Sequence, residues 1–591
     1  MGHGTLIFPF FALYLSFLWF TKEMEFSVPK VQVSTELRGE SVIEKPMEIR
    51  FRISHFYLVD QIELILSSEE FHEVHLNQNL FLPENEKANF RLLPFHRTKE
   101  LCRTRQSFQL KRVSPSQVLE GWIHYRSPLP GAALNYPVEL KLWNGSKLIA
   151  TQTVKLSASP ANTVFVHCDW IKSNTSPQVR CTGIDQRGNQ TREPLEIRGS
   201  FHPDKSGEIY NFTESLELIP PSKPAPYSRF YYQFQEQRFQ SSALPNPRTP
   251  IVFGDLHTHS MYSDSRVPAT PAELVNYARS VALLDFVAIT DHSEGVFGEP
   301  LSIEEFQETA KTLRKLNSPG VFTTFLGFEW TSTFHNENSP FGHRTVIYPG
   351  LRGYPYRSDQ EETNTPEKLY EKTGPVFSFP HHTMIPWGAF RFDQKPVPFY
   401  EKGVEIYSAH GSSEEMTPAG RMKKQISAGA IREAVKKRYP FRILAASDTH
   451  AAHPGLNNWP GVKPGMLDAG GLTAVFSRAN SRRAIFDGLW QQKFYATSGT
   501  KILIEPSSWK HLFPLQIHGT NQLKKAEIYE FLEGESPRVS HVSLSGLSAK
   551  IEHQVHPQTY GYYVRITQMD EERAWIGPVY RLPAIKKRTV N

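Results

Sequence analysis

Between residues 27 and 220, apolar positions alternate with polar ones in short runs: KVQVSTEL, MEIRFRI, QIELIL, PVELKLW and LIATQTVKL, separated by Pro, Gly, Asn and Ser. A period of two turns one face of each run toward a core, and no stretch here sustains a helical period. The pattern predicts one or two all-β sandwich modules over 27–220. Residues 221–250, rich in Pro and Ser, read as a connector. From residue 251 the texture changes. Apolar strand-like runs (IVFGDL, DFVAIT, VFTTFLGF) alternate with amphipathic stretches (PAELVNYARSVALL, IEEFQETAKTLRKL), which predicts parallel βα units through about residue 500. A last β segment, 501–591, carries ILIEP, AEIYEFL and YYVRIT.

Residues 1–26 follow a different rule. No Lys, Arg, Asp or Glu occurs before Lys22, and Leu6 to Phe20 is apolar apart from Ser16. This is the pattern of a signal peptide or a membrane anchor, with residues 5–20 as the tether, and it predicts an exported chain, periplasmic, cell-surface or secreted. The alternative is a buried first strand or helix. Export would permit a disulfide, and Cys168 and Cys181 flank a polar turn as two arms of a hairpin could, leaving Cys102 over.

The full chain has 591 residues, too many for one small domain. Its 66 basic and 60 acidic residues are dispersed, so no nucleic-acid face is expected. Three cysteines exclude a four-thiolate zinc site, whereas 23 histidines make imidazole the abundant metal-capable group.

The candidate chemistry begins at GDLHTHSMYSDS, where Asp255, His257, His259 and Asp264 follow an apolar run. Residues two apart on a strand share a face, so His257 and His259 can address one cation. Other strand-like runs deliver metal-capable residues in the same way: Asp291 and His292, Glu329, His381 and His382, Asp448 and His450. His343 instead opens its apolar run, which requires a strand running the other way or a loop.

Taken in order, H-T-H-x-x-x-x-D, T-D-H, G-x-E, the His-led strand, P-H, S-D-T-H, K-F-Y-A-T-S-G-T and Y-Y-V-R-I-T-Q with Ala574-Trp575 resemble the polymerase and histidinol phosphatase (PHP) superfamily, in particular its large exported members. The resemblance spans roughly Ile251 to Leu582. It implies a central distorted (β/α)7 barrel over 251–500, with the C-terminal β segment packed on it, and two or three divalent ions, Zn, Mn or Fe, at the strand ends. By position, one ion would take His257, His259 and Asp448, with Glu329 bridging to a second held by His343 and His381; a third would take Asp264, His292 and His450. A site of imidazole and carboxylate without thiolate suits these metals.

Neighbouring residues have alternative roles. His382 competes with His381 as ligand; His410 is a ligand, a supporting residue or substrate-facing; His335 and His453, in polar stretches, are solvated or substrate-facing. Asp255 suits a backbone-bonding role and Asp291 the orientation of His292. Arg266 and Arg344 would suit an anionic substrate, or be surface or salt-bridged. Trp330 and Trp387 wall the pocket or pack in the core. The expected function is a metal-dependent hydrolase acting through a metal-activated water on a small molecule or polymer end, a phosphoesterase by resemblance. Glu329, Asp448 and His381 are the catalytic candidates, with His381, His410 or Asp448 moving a proton. A noncatalytic surface binding module with a relic barrel, or a metal hydrolase of a non-phosphate bond, are the alternatives.

Overall fold

The computed structural model describes the segments 32–39, 47–54, 61–66, 73–76, 104–109, 119–125 and 135–157. It then describes residues 159–581 apart from 174–175, 296–299, 333–340, 389, 393–396, 398, 417–424 and 463–468. The apolar segment 1–26, Cys102, His335 and the side chain of Trp387 lie outside the described residues. Among those described, no helix is long and apolar enough to cross a membrane.

The alternating region forms antiparallel sheets. One joins Gln32–Gly39, Met47–Ser54, Leu119–Tyr125 and Glu73–Leu76; another joins Thr104–Gln109, Gln61–Leu66, Asn135–Asn144 and Lys147–Ser157. Alternate residues are buried, Ile49, Phe51 and Ile53 in the first and Val138, Leu140 and Leu142 in the second, as a half-buried strand requires. A second pair of sheets packs on a shared core of Val166, Val179, Ile197, Phe230 and Tyr232. Thr163–Ile171, Gln178–Asp185 and Ser215–Leu218 make one of them; Glu208–Phe212, Leu195–Ser200, Tyr231–Phe234 and Gln237–Gln240 make the other. Cys168 and Cys181 are directly opposed on neighbouring strands and form a disulfide. Residues 221–250 are therefore more than a connector. They supply two strands: YYQF, whose alternate residues Tyr232 and Phe234 are buried, pairs with Leu195–Ser200, and QRFQ pairs with YYQF at the sheet edge.

Beyond residue 250, β1 (Ile251–Asp255), α1 (Pro271–Ser280), β2 (Phe286–Ile289), α2 (Ile303–Leu316) and β3 (Thr323–Thr331) come first. Next are β4 (His343–Ile347), α3 (Pro366–Thr373), β5 (Phe377–Pro380), β6 (Gly403–Ser408), α4 (Ile431–Lys436) and β7 (Arg442–Ala445). The order ends with β8 (Leu472–Phe476), α5 (Arg482–Trp490), β9 (Phe494–Thr497), β10 (Leu523–Phe531), β11 (Gly561–Gln568) and β12 (Arg573–Tyr580). Helices α1 and α2 begin at capping boxes, Thr270 with Glu273 and Ser302 with Glu305, each satisfying two otherwise orphaned N–H groups.

The expected distorted (β/α)7 barrel is not what these elements build. The described part of the chain is mostly β-sheet, with five short α-helices, and its largest unit is a mixed sheet of eleven strands in the order β5-β4-β3-β2-β1-β8-β9-β12-β11-β10 followed by Arg538–Ser543. Among the described residues, parallel strand pairing occurs in β1–β2–β3 and β6–β7, with isolated parallel bridges at Thr258–Thr449, His292–Glu329 and Ser378–Glu401. Residues 332–342, between β3 and β4, are too few for the crossover a parallel return needs, so β4 runs antiparallel to β3. β8 likewise runs antiparallel to β1. The C-terminal segment does not merely pack on a barrel: β12, β11 and β10 continue the same sheet through β9. The sequence misled because β1, β2 and β3 are buried on both faces and read as continuous apolar runs, which parallel and central mixed strands share.

Candidate metal centre

The parallel strands β1, β2 and β3 end on one side, and the ligand-type residues gather there. Backbone hydrogen bonds continue the ladder beyond the strand ends: Asp448 N–H donates to the His257 carbonyl at 2.9 Å, His259 N–H to the Thr449 carbonyl at 3.0 Å, and Glu329 N–H to the Asp291 carbonyl at 3.0 Å. The side chains thus project from paired backbone rather than from free loops. His343 opens β4, whose antiparallel direction brings its first residue beside Thr331 at the end of β3. Asp448 and His382 have positive φ, 54° and 33°. Such conformations cost energy that the surroundings must hold in place, and they cluster where a side chain has to be aimed.

All nine predicted ligands converge in three overlapping groups, with His382 as a tenth member. His257, His259, Glu329 and Asp448 form one; His259, Asp264, His292 and His450 the second; Glu329, His343, His381 and His382 the third. Within each group the donor atoms lie within 4.8 Å of one another, and every residue is buried. His259 links the first two groups and Glu329 links the first and third. The two oxygens of Glu329 divide between them: Oε2 is 2.9 Å from His257 Nε2 and 3.2 Å from His259 Nε2. Oε1 is 2.7 Å from His343 Nδ1 and 3.0 Å from His381 Nε2.

The electrostatics reflect this crowding. Burial alone would depress His257, but the carboxylates of Asp448, Glu329 and Glu405 outweigh it and push its pKa up to about 10. His259 is raised well above its ordinary value despite burial, by Asp264, Asp448 and Glu329. Burial would raise Glu329, Asp448 and Asp264, yet the surrounding histidines hold all three well below the usual carboxylate range. Burial depresses His381 to about 3 and lowers His343 and His382 as well. Three anions buried among imidazoles call for positive charge, and the raised pKa values of His257 and His259 reflect that demand. Divalent cations meet it, since each compensates two charges and accepts neutral imidazole as a ligand. The donor set therefore fits metal ions: these clusters could hold them.

The supporting groups depart in part from expectation. Asp255 accepts from the backbone N–H of Ser447 (2.9 Å) and His257 (3.2 Å) and joins no ligand group. Asp291 does not orient His292; it accepts from Ser260 N–H (2.6 Å) and the Ser260 and Ser263 hydroxyls, fixing the turn after His259. Thr331, Thr345 and Ser263 face the remote ring nitrogens of His292, His381 and His259. His410 Nε2 is 3.1 Å from Asp448 Oδ2 and keeps 17% of its side chain exposed, more than its neighbours in the cluster. Arg344 is not substrate-facing: it is buried, pairs with Glu401 at 2.7 Å and lies over the rings of Phe390 and Trp330. Trp330 is core, donating Nε1–H to the Thr363 carbonyl. Arg266 is half-buried beside the cluster, its backbone N–H bonded to the His450 carbonyl.

His453 is neither solvated nor exposed. It is buried against Tyr277, with Nε2 3.2 Å from Asn189 Oδ1 in the second sandwich, and Tyr277 donates its hydroxyl to the Gly188 carbonyl at 2.7 Å. Leu456, Val281, Ile184 and Phe165 share one core there, so the sandwich grips the segment directly after Asp448 and His450. Sequence reasoning also missed Glu405, buried behind His257 with Oε2 3.4 Å from Nδ1. Its signal was present: an acid in the middle of the apolar strand GVEIYS demands a buried partner.

The folded site is thus a buried, multi-group imidazole and carboxylate cluster of the kind that binds metal ions. A family described as a protein of unknown function (DUF3604) matches residues 296–375 and 412–506, which include Glu329, His343, Asp448 and His450 but not the H-x-H strand. An uncharacterized protein of Chlamydia pneumoniae is 25% identical over 370 residues, covering 56% of this chain and 57% of its own. One from Chlamydia trachomatis is 24% identical over 263 residues, covering 43% and 40%. The chain spans about half the length of the curated relatives it matches. Among solved structures, a two-domain fibronectin type-III segment of chicken tenascin aligns with 36% of this chain and 97% of its own at 10% identity and a TM-score of 0.15. A β-glucuronidase of Bacteroides uniformis aligns with 93% and 80% at 11% identity and 0.17. Scores this low establish no common fold.

Proposed function

We propose that the chain is a metal-dependent hydrolase, with phosphoesters as its substrate class, and that its site holds two or three divalent ions of Zn, Mn or Fe. The observation that carries this reading is the sharing of His259 and Glu329 among three ligand groups, which suits ions held close together rather than one structural ion. The ordered resemblance of the ligand motifs to PHP proteins supports the choice of phosphoesters. Bound ions of this kind acidify a water and polarise a scissile phosphoryl group. The chain's own residues do the rest. Glu329 presents one oxygen to each of two groups, and Asp448 is shared by His257, His259 and His410. His410, which lies beside Asp448 and is more open than the ligand histidines, would meet a substrate and exchange a proton with its leaving group, and its exposure favours it for that step over the more deeply buried His381. Arg266 stands at the edge as the group able to contact an anionic substrate. An exported location follows from the apolar segment 1–26 and agrees with the Cys168–Cys181 disulfide. The test is metal analysis of the purified full chain together with turnover of phosphate mono- and diesters, sulfate esters and amides. Metal-replete protein that turns over none of them would refute the hydrolase reading, and preference for amides or sulfates would refute the phosphoester assignment.

A further inference from the structure

At the other end of β3 from Glu329 lies an open cavity of about 390 Å³ lined by Arg314, Asn317, Gly350, Leu351, Arg352 and Arg482. Thr324, whose carbonyl anchors this cavity, precedes Glu329 by five residues, so the two sites are separated by about 17 Å of extended strand. The walls come from three places that topology brings together: the C-terminal end of α2, the turn after β4, and the first turn of α5.

Arg482 is held in place. Its Nε donates to the Thr324 carbonyl at 2.8 Å and its Nη2 to Asn317 Oδ1 at 3.0 Å, which leaves the Nη1 edge for a ligand. Arg314 and Arg352 are exposed and flank it. Among the described residues, no ion pair joins any of the three to a carboxylate. Other arginines of the chain behave differently, Arg344 pairing with Glu401 and Arg565 with Glu414 and Glu527. Three guanidinium groups around one concavity repel each other unless an anion lies between them, and a planar guanidinium edge matches the oxygens of a phosphate.

We infer that the cavity bounded by Arg314, Arg352 and Arg482 binds a phosphate group, as free phosphate or as the end of a phosphate monoester. This site is separate from the metal centre and does not depend on its assignment. Arg482 orients the anion through a fixed edge, while Arg314 and Arg352 close on it from solvent.

The experiment is calorimetric titration of the full-length protein with inorganic phosphate and with methyl phosphate at constant ionic strength. Because phosphate can also reach a metal centre, three proteins are compared: wild type, Arg314→Ala/Arg352→Ala and Asp448→Asn. The expected result is saturable binding at one site that weakens at least tenfold in the double arginine variant and is retained in Asp448→Asn. Both arginines are exposed, so circular dichroism should report an unchanged fold. Tighter binding of methyl phosphate would assign the site to an ester, tighter binding of inorganic phosphate to the free anion. No saturable binding by wild type, equal binding by the arginine variant, or loss only in Asp448→Asn would overturn the inference.

Discussion

His257 Nε2 and His259 Nε2 stand 3.1 Å apart, and Glu329 Oε2 and Asp448 Oδ1 each approach both. Two donors bound to one tetrahedral ion at ~2.1 Å would themselves be separated by about 3.4 Å. The spacing is that of ligands around a common centre, and H-x-H on an extended backbone produces it.

Purified full-length protein is therefore expected to carry more than one equivalent of transition metal. Asp448→Asn combined with His450→Ala removes a donor from each of two groups and should lose much of it. Elemental analysis after reconstitution with Zn, Mn and Fe decides the matter, and wild-type protein that retains none of them would sink the metal reading.

How far the sequence reached depends on how local each signal was. His257 and His259 were legible because strand periodicity fixes which residues share a face. His343 was legible as the opening of an apolar run that needed either a reversed strand or a loop, and the structure takes the first form in β4. The architecture was not, because the direction of β4 and β8 depends on what their connections can span and on which edge is open. Runs such as LTAVF carry no mark of direction. Glu405 escaped, and His453 was given the wrong surroundings, for a related reason: the partners that make them necessary, His257 and Asn189, lie 148 and 264 residues away.

Glu405 is expected to act as the orienting carboxylate of His257. A ligand histidine usually gives its second ring nitrogen to such a partner, and removing the partner weakens metal affinity about 10- to 100-fold. Glu405→Gln keeps the shape and should lower affinity in competition with a chelator while leaving the circular dichroism spectrum unchanged. Unaltered affinity would mean that Glu405 only fills space.

Acid should loosen the grip of the sandwich on the segment after His450. Burial lowers the pKa of His453 to about 3. The unfolded chain takes up that proton first, near pH 6.5, so stability falls as pH drops from there toward 3, by up to about 1.4 kcal/mol per pH unit for one site. Above pH 6.5 both states are neutral at this position and the contribution is constant. Urea denaturation of wild type and His453→Gln at pH 7 and pH 5 measures the difference. The variant should be less stable at pH 7, having lost the imidazole contacts with Tyr277 and Asn189, and should show the smaller change on acidification. An identical pH dependence in both proteins would exclude His453 as the source.

Glu329 gives the sharpest distinction between an enzyme and a binding module. Its Oε2 faces His257 and His259, and its Oε1 faces His343 and His381, so Glu329→Gln alters two ligand groups with one atom changed. An amide is a neutral and poorer ligand, and its NH2 would point at ring nitrogens or at an ion. The second sandwich has a core of its own and should stay folded, which circular dichroism and the integrity of the Cys168–Cys181 disulfide would report. Hydrolysis should fall by at least about 100-fold, because a water returned from a metal-lowered pKa near ~7 toward 15.7 loses its nucleophilic form at neutral pH. A surface module predicts another pattern, with ligand affinity following substitutions in residues 27–220 and indifferent to position 329. Equal turnover by wild type and Glu329→Gln would rule out a bridging role for this carboxylate, whatever the metal content of the two proteins.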